Sequence, residues 1–102
     1  MMYGLPDETL KLLTSIFKKY PGIRKAVLYG SRAKGNYRTG SDIDITLETD
    51  DSFTFTRLLN IGNDFEDSDM PYLVDVSIYD KLTNDDLKAH IERVGKILYS
   101  AE

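Results

Sequence analysis

Residues 30–44 read Gly-Ser-Arg-Ala-Lys-Gly-Asn-Tyr-Arg-Thr-Gly-Ser-Asp-Ile-Asp. Two kinds of chemistry lie within this one segment. Gly30 lets another group come close to the backbone, because it has no Cβ. Ser31 adds a hydroxyl and opens a short helical turn, whose first amides lack partners and suit an anion. Arg32 and Lys34 bring positive charge to the same place. Asp42 and Asp44 are one residue apart, so on a strand both carboxylates project from one face. Two carboxylates that close repel unless a cation lies beside them. Oxygen-only ligands on a rigid element favour Mg²⁺ or Mn²⁺, with water and phosphate completing the shell. For an isolated Asp-x-Asp, the plainer reading is two exposed acids at the start of an edge strand.

A third acid changes that balance. Asp75 sits inside Leu73-Val74-Asp75-Val76-Ser77-Ile78, an otherwise apolar strand pattern. Acids are rarely buried unless they are paired or coordinated. A surface-facing aspartate that shares its face with Ser77 is the alternative. If this strand lies beside the one carrying Asp42 and Asp44, three carboxylates come together. Three suffice for a two-metal phosphoryl or nucleotidyl transfer site.

Charge follows the same division. Lys18 to Arg38 holds seven basic residues and no acid, whereas Thr39 to Asp80 holds eleven acids and only Arg57 as a base. The sign changes inside the motif, as a metal-bound polyphosphate would want. The net charge of −4 disfavours nucleic acid as a partner. The segment is not a P-loop, because Asn36-Tyr37 stands where Lys and Ser/Thr are required.

The elements that must position these residues follow from periodicity. Leu10, Leu13, Phe17 and Tyr20 predict a helix over about 7–20, stopped by Pro21-Gly22. Ala26-Val27-Leu28-Tyr29 predicts a buried strand ending at Gly30. Residues 42–47 alternate, with Asp42, Asp44 and Thr46 on one face and Ile43, Ile45 and Leu47 on the other. A helix is predicted from Phe53 to about Phe65, although Thr54-Phe55-Thr56 is locally strand-like; an acidic loop follows over 66–71. Residues 72–79 predict a third strand. A last helix from Thr83 carries Leu87, Ile91, Val94 and Leu98 as its apolar stripe. His90 is the only histidine and reads as a surface residue off that stripe. The expected fold is α/β (α+β), a small mixed sheet of at least three strands covered by helices. At 102 residues the chain reads as one domain, 1–102. It has no cysteine, no secretory signal pattern and no apolar run of bilayer length, which fits a cytoplasmic protein without a membrane partner.

Gly30-Ser31, Asp42-x-Asp44 and the later strand aspartate Asp75 together resemble the nucleotidyltransferase fold of the DNA polymerase beta superfamily. Within it the chain is most similar to the minimal nucleotidyltransferases (MNT), small proteins often paired with a HEPN-domain protein. The resemblance runs from the leading helix to a terminal helix ending Gly95-Lys96-Ile97-Leu98-Tyr99. It implies that Gly30 and Ser31, with Arg32, bind the phosphates of ATP or another NTP. It implies that Asp42 and Asp44 ligate two Mg²⁺ ions, and that Asp75 ligates the catalytic one and helps activate the attacking hydroxyl. The implied role is an antitoxin that adenylylates a HEPN-domain toxin. Two alternatives stand beside it. One is a non-catalytic module that neutralises its partner by binding. The other is transfer to RNA ends or an aminoglycoside, which the acidic charge and single domain disfavour. Tyr37, Lys34, Arg38 and Ser41 are near the motif and read more simply as loop and packing residues.

Overall fold

The computed structural model describes residues 1–101. The first helix, α1, spans Asp7–Lys18, with Asp7 and Glu8 at its positive end and Lys18 in its last turn, both favourable to the helix dipole. Strand β1 covers Ile23–Tyr29 and runs directly into α2, Gly30–Lys34. Strand β2 covers Ile43–Thr49 and helix α3 Phe55–Asp67. The Thr54 hydroxyl accepts the Arg57 N–H and caps α3, so the helix starts after the strand-like Thr54 rather than at Phe53. Strand β3 covers Val74–Ile78, and a 3-10 turn takes Tyr79–Lys81. Helix α4 spans Asp85–Val94, capped by the Asn84 side chain on the Leu87 N–H.

The expected terminal helix through Tyr99 is corrected here. Helix α4 stops at Val94, and Lys96–Ser100 forms a fourth strand, β4. Gly95 makes the break: a Cβ there would collide with the Ile91 carbonyl and sit 2.8 Å from Val27 Cγ1. Leu98 then packs on the main core from a strand.

The sheet order is β3-β2-β1-β4. Strand β1 pairs antiparallel with β2 and β4, and β2 pairs parallel with β3 through the α3 crossover. One face carries Ala26, Leu28, Ile43, Ile45 and Leu47 under Leu13, Ile16 and Phe17 of α1 and Ile61 and Phe65 of α3. Each of these buried Leu, Ile and Phe side chains contributes about 1.5–3 kcal/mol. The other face has a much smaller cluster, in which Val27 and Tyr29 meet Ile91 of α4. Helix α4 covers only part of that face: Thr46 is buried, whereas Asp44 and Asp75 stay reachable from solvent. Among the described residues, no helix is long and apolar enough to cross a membrane.

Candidate active site

The register of the sheet assembles the acids. Tyr29 on β1 lies opposite Asp44 on β2, and Asp44 lies opposite Asp75 on β3. Alternation turns this row toward the face that α4 partly covers. The next row on that face confirms the orientation, because the Ser77 hydroxyl donates to Thr46 Oγ1 at 3.0 Å. Asp42 lies just before β2 and is exposed; Asp75 is exposed and Asp44 half-buried. A cavity of about 520 Å³ lies further along the face, lined by Val27, Thr46, Tyr79 and Ile91 among others. The three acids do not line it.

The electrostatics of the row are those of crowded anions. Burial, then Asp75 and Asp42, push the Asp44 carboxyl above the usual carboxylate range, while His90 pulls it the other way. Burial also raises the Tyr29 hydroxyl, with Asp44 and Asp75 adding to it. The ion pairs among the described residues are Met1 with Asp7 and Lys19 with Asp64, so no lysine or arginine neutralises Asp42, Asp44 or Asp75. The donor set is thus three unpaired carboxylates, the hard oxygen chemistry that Mg²⁺ prefers. Among the described residues, no three acid or histidine side chains converge tightly enough to form a metal cage unaided. Such a site would be completed by water and substrate phosphate oxygens, as is usual for Mg²⁺.

The turn before the acids is built around Gly30. Its φ is +75°, and a Cβ there would collide with Asp44 Oδ2. Glycine is therefore required both for its backbone and for the approach of the acid. Ser31, half-buried, opens the turn; its carbonyl accepts the N–H groups of Gly35 at 2.9 Å and Asn36 at 3.2 Å. Gly35, at φ +91°, closes α2 in the left-handed conformation.

Two residues differ from their sequence reading. Arg32 is expected on phosphate, yet it is 2 % exposed. Its Nε and Nη2 donate to the Ser41 carbonyl at 3.0 and 2.8 Å, and Nη1 donates to the Tyr3 carbonyl at 3.0 Å. All three of its guanidinium nitrogens are engaged away from the Gly30–Ser31 turn. His90 is expected on the surface, yet its Nε2 accepts the Gly30 N–H at 3.1 Å and its ring meets Tyr29 edge-on at 6.2 Å. The signal was present in the sequence: Leu87, His90, Ile91 and Val94 fall at i, i+3, i+4 and i+7, one helical face. Tyr37 stacks on Arg32, and the Ser41 hydroxyl accepts the Arg38 N–H at 2.8 Å, as packing and capping residues do. Lys34 and Arg38 are exposed.

A family model described as polymerase beta, nucleotidyltransferase matches residues 11–102. The chain belongs to that family. Among curated proteins none matches this nucleotidyltransferase. Among solved structures, its fold is similar to a chain of a toxin–antitoxin complex solved with AMP-PNP. That pair has 19% identity and a TM-score of 0.72, over 91% of this chain and 74% of the other. It is similar to a chain of the Shewanella oneidensis complex of a tri-AMPylated HEPN toxin with its MNT antitoxin. There the identity is 17% and the TM-score 0.67, over 92% and 71% of the two chains. A nucleotidyltransferase described as putative, from Sulfolobus solfataricus, matches at 20% identity and TM-score 0.54, over 92% and 82%. At these identities the likeness is one of fold.

Proposed function

We propose that this nucleotidyltransferase uses Mg²⁺ to transfer AMP from ATP to a hydroxyl on a HEPN-type partner protein, and acts as that protein's antitoxin. The observation that carries the reading is the row Tyr29–Asp44–Asp75, with Asp42 beside it and the Gly30–Ser31 turn pressed against Asp44. Family membership supports the reaction type. The partner and the adenylyl group rest on the similar fold of the Shewanella antitoxin complex, whose toxin is AMPylated.

In this reading the Ser31 hydroxyl and turn amides hold the β- and γ-phosphates of ATP. Asp42, Asp44 and Asp75 would hold the Mg²⁺, which when bound neutralises phosphate charge and favours departure of pyrophosphate. Asp75, the exposed acid of the row, receives the proton of the acceptor hydroxyl. The acceptor oxygen forms a bond to the α-phosphorus as the bond to the pyrophosphate oxygen breaks in line. The products are an adenylylated hydroxyl, pyrophosphate and one proton. Arg32 has no part in phosphate binding, since carbonyls occupy its donors.

The test uses a HEPN-type protein encoded beside this chain, with Mg²⁺ and ATP labelled at the α-phosphate. Label should move to the partner, with release of pyrophosphate, and an Asp42→Ala/Asp44→Ala double variant should transfer none. Equal labelling by wild type and double variant, or none by either, would overturn the reading. If the double variant still neutralises the partner in cells, neutralisation is by binding alone.

A further inference from the structure

Arg32 is a buried cation without an acidic partner among the described residues. Burying a guanidinium costs several kcal/mol unless its donors are satisfied. Here each of the three nitrogens finds a backbone carbonyl. Nε and Nη2 both reach the Ser41 carbonyl, and Nη1 reaches the carbonyls of Tyr3 at 3.0 Å and Gly4 at 3.4 Å. The ring of Tyr37 lies 5.2 Å from the guanidinium carbon and that of Tyr72 4.8 Å. Both contacts are of cation–π range.

The Ser41 carbonyl belongs to the peptide that leads into Asp42. Asp42 lies outside β2, so no sheet ladder fixes it. The loop before it is exposed from Lys34 to Gly40, and both Gly35 and Gly40 have left-handed backbones. After Asp42, the Ile43 N–H is tied to the Leu73 carbonyl at 2.9 Å. The forked contact from Arg32 therefore supplies the fixed point on the other side of Asp42. A planar fork with two donors on one oxygen sets direction as well as distance, which a lysine cannot do. Arg32 also sits in α2 next to Ser31, so one side chain links the turn to the first acid.

We infer that Arg32 is the positioning residue for Asp42: its grip on the Ser41 carbonyl holds the Asp42 carboxylate at a fixed spacing from Asp44 for a divalent cation. This rests on the reading of Asp42 as a metal ligand. Arg32 touches neither cation nor nucleotide.

The experiment measures Mn²⁺ binding to the full chain, alone and with a non-hydrolysable ATP analogue, by electron paramagnetic resonance, alongside thermal unfolding. Arg32→Lys should fold and should weaken Mn²⁺ binding about tenfold or more, the usual scale for a group that orients a ligand. In an Asp42→Asn background the same change should add less than about twofold, because the ligand it positions is gone. Tyr72→Leu, which removes one stacking face, should weaken binding in the same direction and serves if Arg32→Lys does not fold. Mn²⁺ affinity within twofold of wild type in the folded variant, or a full effect persisting without the Asp42 carboxylate, would overturn the inference alone. Wild-type protein that binds no Mn²⁺, either alone or with the ATP analogue, would instead remove the metal reading on which it rests, and the inference with it.

Discussion

Asp44 faces Asp75 across the parallel pair β2 and β3, with no basic side chain among the described residues within ion-pair distance of either. The row is built at a cost to the fold. The Asp44 carboxyl is raised by burial first, then by Asp75 and Asp42, so the folded chain binds its proton more tightly than the unfolded chain does. The penalty is full at pH above the raised value, fades as pH falls through it, and is gone below the unfolded one. Asp44→Asn should therefore raise Tm at pH 7 while abolishing transfer. The advantage should shrink toward zero as the medium is acidified. Calorimetry on both proteins at pH 7 and pH 3 checks this; an Asp44→Asn protein less stable than wild type at pH 7 contradicts it.

Gly30 and Asp44 share space that a methyl group would fill. Gly30→Ala meets both a positive φ and the carboxylate. Alanine in the left-handed region costs about 1–3 kcal/mol, and the collision adds to it. Denaturant unfolding should give a smaller loss when Asp44 is already alanine, because only the backbone strain then remains. Equal losses in both backgrounds would mean that the contact carries no energy.

His90 ties α4 to the turn through one hydrogen bond from the Gly30 N–H. Leucine at 90 keeps the volume and leaves that half-buried amide without an acceptor, a loss of about 1–3 kcal/mol. Glutamine can present an oxygen at a similar reach. Hydrogen exchange at the Gly30 amide should be faster in His90→Leu and close to wild type in His90→Gln. Unchanged protection in His90→Leu would show that the bond is not what holds the turn.

The features legible in advance were those set by short-range rules. Alternation alone put Asp44 and Thr46 on one side of a strand, and the register brings Asp75 opposite Asp44; Asp42, expected on the same strand, falls just before it. What eluded sequence reading depends on long-range partners or on coincident periods. Leu98 falls eleven residues after Leu87, a spacing that fits a helical stripe and hides the strand β4. Arg32 next to Ser31 looks like a phosphate contact. Its real acceptors include the Tyr3 and Gly4 carbonyls, brought from the N-terminal segment only by the folded chain. His90 reads as a surface residue because a lone polar side chain at the margin of an apolar stripe looks solvent-facing until the Gly30 N–H is brought against it.

Tyr20 and Asp64 hold α1 to α3 far from the acids, and they give a stability test independent of function. The Tyr20 hydroxyl donates to Asp64 Oδ2, and Lys19 Nζ reaches the same oxygen at 3.1 Å. Burial first, then the bond to Asp64, raises the Tyr20 hydroxyl from 10.0 to about 12. The Tyr20 bond, with Lys19 assisting, lowers the Asp64 carboxyl. The two signs bound a window. The Asp64 contribution is present above the ordinary carboxylate range and lost as pH falls through the lowered value. The Tyr20 contribution is present below 10 and lost as pH rises toward about 12. Tyr20→Phe should cost about 1.5–3 kcal/mol at pH 7, the scale of one hydrogen bond to a charged group. The difference from wild type should narrow toward both pH extremes, while nucleotide binding stays unchanged. A difference that is flat with pH would mean that the hydroxyl contributes packing alone.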